Sequence, residues 1–168
     1  MHDSLEPSPW VRRWAPLVTR GPVLDVASGS GRHSRIFKDL EVVAVDRDAQ
    51  SIPGVRFVKA DLEDGSPWPF AGQRFGAIVV TNYLHRPLLP VLAQSLAEQG
   101  VLIYETFMLG NEKFGKPSNP NFLLRPGELL EAFAGLTVAA FEQGTTQKAV
   151  VQRICAILGP AGSVRIPA

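Results

Sequence analysis

The stretch that most constrains this chain is Gly21 to Asp48, GPVLDVASGSGRHSRIFKDLEVVAVDRD. Val23, Leu24 and Val26 make an apolar run around Asp25, the pattern of a strand buried on both faces. Ala27-Ser28-Gly29-Ser30-Gly31 then sets two glycines among three small residues, as a turn does that takes positive φ or lets a ligand approach bare backbone. Ile36, Phe37 and Leu40 have helical spacing, and Val42 to Val45 reads as a second strand ending at Asp46. A ligand held here would meet a helix N-terminus, a glycine turn and a carboxylate at a neighbouring strand end. Such a carboxylate accepts hydrogen bonds from ribose hydroxyls, so the unit reads as a nucleoside site. As a dinucleotide fingerprint it is imperfect, because Gly29-x-Gly31-x-x-Ser34 ends in Ser where Gly or Ala packs helix on strand.

The rest of the chain allows one domain, residues 1–168. It is 45% hydrophobic and 20% charged, with 14 prolines and 15 glycines that imply many turns and short helices. A formal charge of +1 gives no whole-protein attraction to nucleic acid or membrane, and the basic run Arg12, Arg13, Arg20, Arg32, Arg35, Lys38 reads as a solvated face in preference to a polyanion site. The single cysteine, Cys155, excludes an internal disulfide and a cysteine-cluster metal site. His2, His33 and His85 are too far apart to suggest a metal centre, so none is expected. With no signal peptide and no apolar run of membrane length, a soluble cytoplasmic protein is expected.

Along the chain, Met1 to Pro9 is expected to be disordered or on the surface. Trp10 and Trp14, at i and i+4, fall on one side of a helical turn, where both rings pack onto the sheet or an adjacent helix. Val55 to Ala60 is a third strand followed by Asp61 and Leu62. Glu63 to Arg74 is loop. Phe75 to Asn82 is a fourth strand. Pro87 opens a helix whose Leu88, Leu92 and Leu96 share a face and which Gly100 caps. Val101 to Thr106 is a fifth strand. Phe107 to Arg125 is too long for an ordinary connection and reads as an acceptor-side loop, with Phe107, Phe114 and Phe122 closing over the reacting group. A short helix, Pro126 to Phe133, turns Leu129, Leu130 and Phe133 inward. The last strands, Leu136 to Glu142 and Ala149 to Leu158, are joined too closely for a parallel crossover and must run antiparallel.

Asp25-Val-Ala-Ser-Gly29-Ser-Gly31, Asp46 and Asp61-Leu62 stand in order at successive strand ends. This arrangement resembles class I S-adenosylmethionine (SAM)-dependent methyltransferases, which often have Gly at the position of Ala27. Asn82-Tyr-Leu-His-Arg-Pro, Tyr104-Glu-Thr-Phe and Asn119-Pro-Asn-Phe look like small bacterial proteins of the tellurite-resistance methyltransferase type. The resemblance implies a Rossmann-like α/β fold: a mostly parallel seven-stranded sheet with an antiparallel last strand and helices on both faces. The helices between the second, third and fourth strands look truncated.

The resemblance also implies SAM as cofactor and S-adenosylhomocysteine (SAH) as product, and a lid role over the cofactor for the N-terminal segment 1–20 with Trp10 and Trp14. Asp25, Ala27, Ser28, Gly29, Gly31 and Arg32 would form the first part of the cofactor site. Asp46 and Arg47 would meet the ribose, Asp61 and Leu62 the adenine, and Asn82 and Tyr83 the methyl end. Glu105 is the general-base candidate, with His85 a second titrating group, and Arg86, Tyr104 and Thr106 are expected nearby. A small molecule is the leading acceptor, with protein or other RNA chemistry left open. Amino-methylating nucleic-acid enzymes carry Asn/Asp-Pro-Pro-Tyr/Phe after the fourth strand, where this chain has Asn82-Tyr83-Leu84-His85. Cytosine C5 methylation needs a cysteine there, and Cys155 lies in the last strand. A monomer or homodimer is expected. A non-catalytic SAM/SAH-binding regulatory module and a nucleotide-binding oxidoreductase are the competing readings.

Overall fold

The computed structural model describes residues 6–168. Most of the segment expected to be disordered, with His2, lies outside them. Seven strands form one sheet in the order β3-β2-β1-β4-β5-β7-β6. These are β1 (Val23–Val26), β2 (Val42–Asp46), β3 (Arg56–Lys59), β4 (Phe75–Thr81), β5 (Leu96–Phe107), β6 (Thr137–Thr145) and β7 (Val150–Ile157). β1 to β5 pair in parallel, and β7 runs antiparallel to both β5 and β6. The antiparallel strand is therefore last in the chain but inserted between its neighbours in the sheet. β1, β2 and β4 lie at the centre and are buried on both faces, which is why β2 reads as an unbroken apolar run and β1 and β4 as runs broken only by Asp25 and Gly76.

Alternation along the strands divides the core. Leu24, Val26, Val45, Ile78, Val80, Leu102 and Tyr104 face one layer, which Phe70, Phe75, α2 (Leu89–Gln94) and α3 (Glu128–Ala132) complete. Val23, Val42, Ala77, Val79, Val101 and Ile103 face the other, which is closed by Phe37 and by Trp10, Val11 and Trp14 of α1 (Pro9–Trp14). Ser8 caps α1, its hydroxyl accepting from the amides of Trp10 (3.1 Å) and Val11 (3.4 Å). Helices thus lie on both faces, but each is only five or six residues long.

Three expectations are corrected. The helix expected after the glycine turn is a single 3-10 turn, Ser34–Phe37, because the chain must return to β2 almost at once. Leu96 is not on the helix with Leu88 and Leu92. Strand β5 begins there, paired to Phe75, and Gly100 lies inside the strand, where a Cβ would sit 2.9 Å from the Phe75 carbonyl oxygen. A shared four-residue spacing cannot reveal the bend between them. Leu130, expected inward, is 39% exposed, because the short α3 turns Glu128, Leu129 and, at its end, Phe133 into the core and leaves Leu130 on its outer side.

Candidate active site

The carboxyl ends of β1, β2, β3 and β4 converge on one edge, where open α/β sheets bind ligands. The turn after β1 is held by backbone geometry. Ala27, Gly29 and Gly31 all have positive φ (54°, 52° and 86°). Gly31 is needed for packing as well as conformation, since a Cβ there would lie 2.8 Å from Ile52. Asp46 ties this turn to β2, because its Oδ2 accepts from the Gly29 amide at 2.9 Å while Oδ1 accepts from the Asp48 amide at 3.0 Å. The Ser28 amide donates to the Val45 carbonyl at 3.1 Å. Each carboxylate oxygen of Asp46 still has a lone pair for a further donor.

Beside the turn lies a cleft of about 240 Å³ lined by Ala27, Asp46, Arg47, Asp61, Leu62 and Tyr83, with Glu63 at its edge. A larger cavity, about 660 Å³, continues the same wall along residues 59–69 and reaches His85, Leu88 and Val91. A third cavity, about 500 Å³, lies on the other side of Tyr83. Asn82, Leu84, Thr106, Phe107, Pro117 and Phe122 border it. Tyr83 and Glu63 belong to both the 240 Å³ cleft and this third cavity, and the Tyr83 hydroxyl donates to Glu63 Oε2 at 3.1 Å.

The structure brings together Ala27, Asp46, Arg47, Asp61, Leu62 and Tyr83, and puts Asn82 across Tyr83 in the neighbouring cavity. Asp25, Ser28, Gly29, Gly31 and Arg32 support the turn instead of lining the cleft. Asp25 is buried and accepts from the Ser34 hydroxyl at 2.6 Å. Burial pushes its carboxyl up to about 6, against the lowering effect of that hydrogen bond. Arg32 turns toward the N-terminal segment, where it donates to the Glu6 carbonyl at 3.0 Å.

Glu105, the general-base candidate, is corrected. Side chains alternate along β5, so Thr106 faces the 500 Å³ cavity while Glu105 faces the α1 layer. There its Oε1 accepts from the Ser8 hydroxyl at 2.6 Å, and its Oε2 is paired with Arg153, which also donates to Glu142 at 2.8 Å. His33, buried nearby, accepts the Ser8 amide on Nε2 at 3.0 Å. This network docks the start of α1 on the sheet.

Other expected residues are also engaged structurally. Arg86 forms a two-pronged pair with Glu128 (2.7 and 3.0 Å), so it does not await an anion. Burial would raise the Glu128 carboxyl, but Arg86 and the Arg125 amide more than reverse this and hold it below its usual range. The Tyr104 hydroxyl is spent on the Tyr83 carbonyl at 2.7 Å, and burial raises its pKa well above the usual phenol value. His85 lines the 660 Å³ cavity with Nδ1 3.6 Å from Glu63 Oε1. Glu63 itself was not singled out by sequence. It sits in an exposed Asp/Gly/Pro-rich connection with no local pattern, and only the fold carries it to the wall between two cavities.

Residues 107–125 form a built strap. Met108 bridges Leu124, and Leu123 and Leu124 are buried. Buried Asn111 donates to the Pro117 carbonyl and accepts from the Val150 amide, both at 3.0 Å. Arg86 donates to the carbonyls of Asn121 (3.0 Å) and Leu123 (2.8 Å). Phe107 and Phe122 reach the cavity, whereas Phe114, expected with them, is 47% exposed and is not part of its wall. Among the described residues, no group of three or more His, Cys, Asp or Glu could hold a metal ion, and no helix is long and apolar enough to cross a membrane.

No family model matches the chain, and comparison with curated proteins finds no match. Solved structures do match its fold. TehB from Haemophilus influenzae superposes with a TM-score of 0.67 at 16% identity over 88% of this chain, which spans 60% of the TehB chain. A SAM-dependent methyltransferase from Methanosarcina mazei gives 0.66 at 14% identity, covering 90% of this chain and 98% of that one. The Burkholderia thailandensis 1,6-didemethyltoxoflavin-N1-methyltransferase, solved with 1,6-didemethyltoxoflavin and SAH, gives 0.63 at 18% identity over 90% of this chain and 77% of that one. The chain has the Rossmann-like fold of class I SAM-dependent methyltransferases.

Proposed function

We propose that the protein is a SAM-dependent methyltransferase acting on a small-molecule acceptor. The observation that carries this reading is the common wall of Tyr83 and Glu63 between a cleft at the glycine turn and a separate apolar cavity. One-cavity binding proteins need no such arrangement, whereas group transfer needs two ligands that meet. The cleft residues fit SAM. Asp46 offers free lone pairs to a ribose diol, Leu62 an apolar face to the adenine, and Asp61 a carboxylate whose Oδ1 alone is taken, by the Glu63 amide at 2.9 Å. Its product SAH occupies the Burkholderia enzyme of the same fold.

When bound, SAM supplies a methyl group on a sulfonium, activated for in-line displacement. The chain then has to align and to exclude water, more than to supply strong acid–base chemistry. Tyr83 stands at the junction of the two cavities, with Asn82 beside it on the acceptor side, and the two would orient the reacting groups. Residues 107–125 wall the acceptor side. The start of α1, joined to the turn through Ser8 and His33, would act as a cover on the cofactor side. His85 would act only through Glu63, its neighbour at 3.6 Å.

Calorimetric titration with SAM, SAH and NADH tests the cofactor: binding of the first two without NADH is expected, and NADH binding alone would return the oxidoreductase reading. A metabolite-extract screen with labelled SAM tests the reaction. A labelled small product is expected. SAH binding with no labelled product from any extract would favour the regulatory module.

A further inference from the structure

The 500 Å³ cavity has a narrower chemistry than its size alone implies. Tyr83, Phe107 and Phe122 give it three aromatic walls, and Leu84 and Pro117 add apolar surface. Phe122 is 49% exposed, yet it is not loose. Arg86 grips the carbonyls on either side of it, and the Asn119 side chain accepts from the Asn121 amide at 2.9 Å. Opposite, the buried Asn111 holds Pro117 in place through its carbonyl. A ring that filled core would be buried and would need no such hold. Rings fixed in advance by polar clamps bind a flat π surface at little ordering cost.

Apolar surface predominates at this cavity, but polar side chains also border it: Glu63, Asn82, Thr106, Lys116, Ser118 and Asn119, the last spent on the Asn121 amide. Glu63 enters from the connection after β3, and its Oε2 already accepts from Tyr83 at 3.1 Å, which leaves lone pairs for a further donor. Lys116 at the rim is exposed. Asn82 holds a left-handed backbone (φ 55°), which asparagine tolerates better than most residues, and this fixes the turn that leads from β4 into Tyr83.

We propose that this cavity takes a planar aromatic or heteroaromatic ring bearing an N–H or O–H. Tyr83, Phe107 and Phe122 recognise the ring, and Glu63 accepts the hydrogen bond from its N–H or O–H. Glu63 is thus a specificity-determining residue at the wall shared with the cofactor cleft. The inference rests on the methyltransferase reading for the purpose of the ring, but not for its binding.

The test is binding, with the full chain and three probes: 2-naphthol, 2-methoxynaphthalene (no donor) and 2-decalol (no flat face). Each is titrated by calorimetry with and without saturating SAH, and SAH is titrated alone. Naphthol is expected to bind about tenfold tighter than decalol and several-fold tighter than the ether. Glu63→Leu should abolish the preference for naphthol over the ether. Phe122→Ser should weaken both ring compounds about tenfold without changing SAH affinity, and Phe122→Leu, which keeps the apolar bulk, should weaken them less. Equal affinity for naphthol and decalol, or a donor preference that survives Glu63→Leu, overturns the proposal. SAH that fails to bind while naphthol behaves as expected overturns the cofactor assignment and leaves the ring site standing.

Discussion

The turn side of the sheet edge, around Ala27 to Gly31 and Asp46, and the strap side, around residues 107–125, meet at Tyr83 but are held by different means. On the turn side, backbone conformation does the work: three positive-φ residues and amides donated to one carboxylate. On the strap side, long-range side chains do it. Arg86 and Gln152 reach across the fold to strap carbonyls, at Leu123 (2.8 Å) and Arg125 (2.9 Å), Glu128 anchors Arg86, and Asn111 ties the strap to the Val150 amide of β7. A site held by local backbone is specified by neighbouring residues, whereas one held by distant side chains exists only once the whole domain has formed. The buried acids on the two sides also answer pH oppositely. Asp25 is raised by burial, so its ionisation opposes folding, while Glu128 is lowered by its arginine, so its ionisation supports folding.

The sharpest way to break the contrast is Arg86→Ala. It strands the buried Glu128 and frees two strap carbonyls, so a loss of about 3 kcal/mol in unfolding free energy is expected. Acceptor-side binding should fail while SAH affinity stays near normal in the folded fraction. Denaturant melts with parallel SAH calorimetry check this, and a matching loss of SAH affinity would mean that the two sides are not separately held.

Asp46→Ala should have the converse effect. SAH affinity is expected to fall by about 2–4 kcal/mol. Because Asp46 also holds the Gly29 amide, a smaller stability loss of about 1–2 kcal/mol should accompany it. Asp46→Asn, which keeps an acceptor oxygen, should recover much of the stability and less of the affinity. Unchanged SAH affinity in folded Asp46→Ala would remove the ribose assignment.

The buried carboxyl of Asp25 weakens the fold as it ionises. Its folded pKa of about 6 exceeds the unfolded value of 3.8, so no penalty applies below the lower value, and the penalty is complete above the higher. The difference corresponds to about 3 kcal/mol at neutral pH. Asp25→Asn is therefore expected to raise stability by about 2–3 kcal/mol at pH 7.5 and by almost nothing at pH 3.5. Melts across that range decide it. Glu128→Gln should show the opposite trend, a deficit at pH 7.5 that shrinks as pH falls through the carboxylate range.

The smallest effect expected is at Ala27. Its φ of 54° strains an alanine, so Ala27→Gly should gain about 0.5–1 kcal/mol by relieving the left-handed conformation, with SAH affinity unchanged. A loss of stability would show that the alanine methyl packs usefully there.

Much of the turn side was legible in the residues alone. Val23 to Val26, Val42 to Val45 and Phe75 to Val80 are strands buried on both faces, and such burial writes itself into sequence as apolar runs, broken here only by Asp25 and Gly76. Small residues between strands betray a turn because few others tolerate its φ. The order of Asp46 and Asp61 at strand ends also came through, and both line the cleft. The short hairpin connection forced β6 and β7 antiparallel. What sequence could not decide was which partner each polar side chain would meet. Glu105 and Thr106 are adjacent, and β5 alternation sent the acid to Ser8 and Arg153 and the threonine to the cavity. Glu63 became a shared wall, and Arg86 a clamp on the strap, through contacts with residues such as Tyr83 and Glu128 that are far along the chain. Local propensity and periodicity act over a few residues and so determine strands and turns. The partner of a side chain depends on sheet order and strand phase, which only the folded chain supplies.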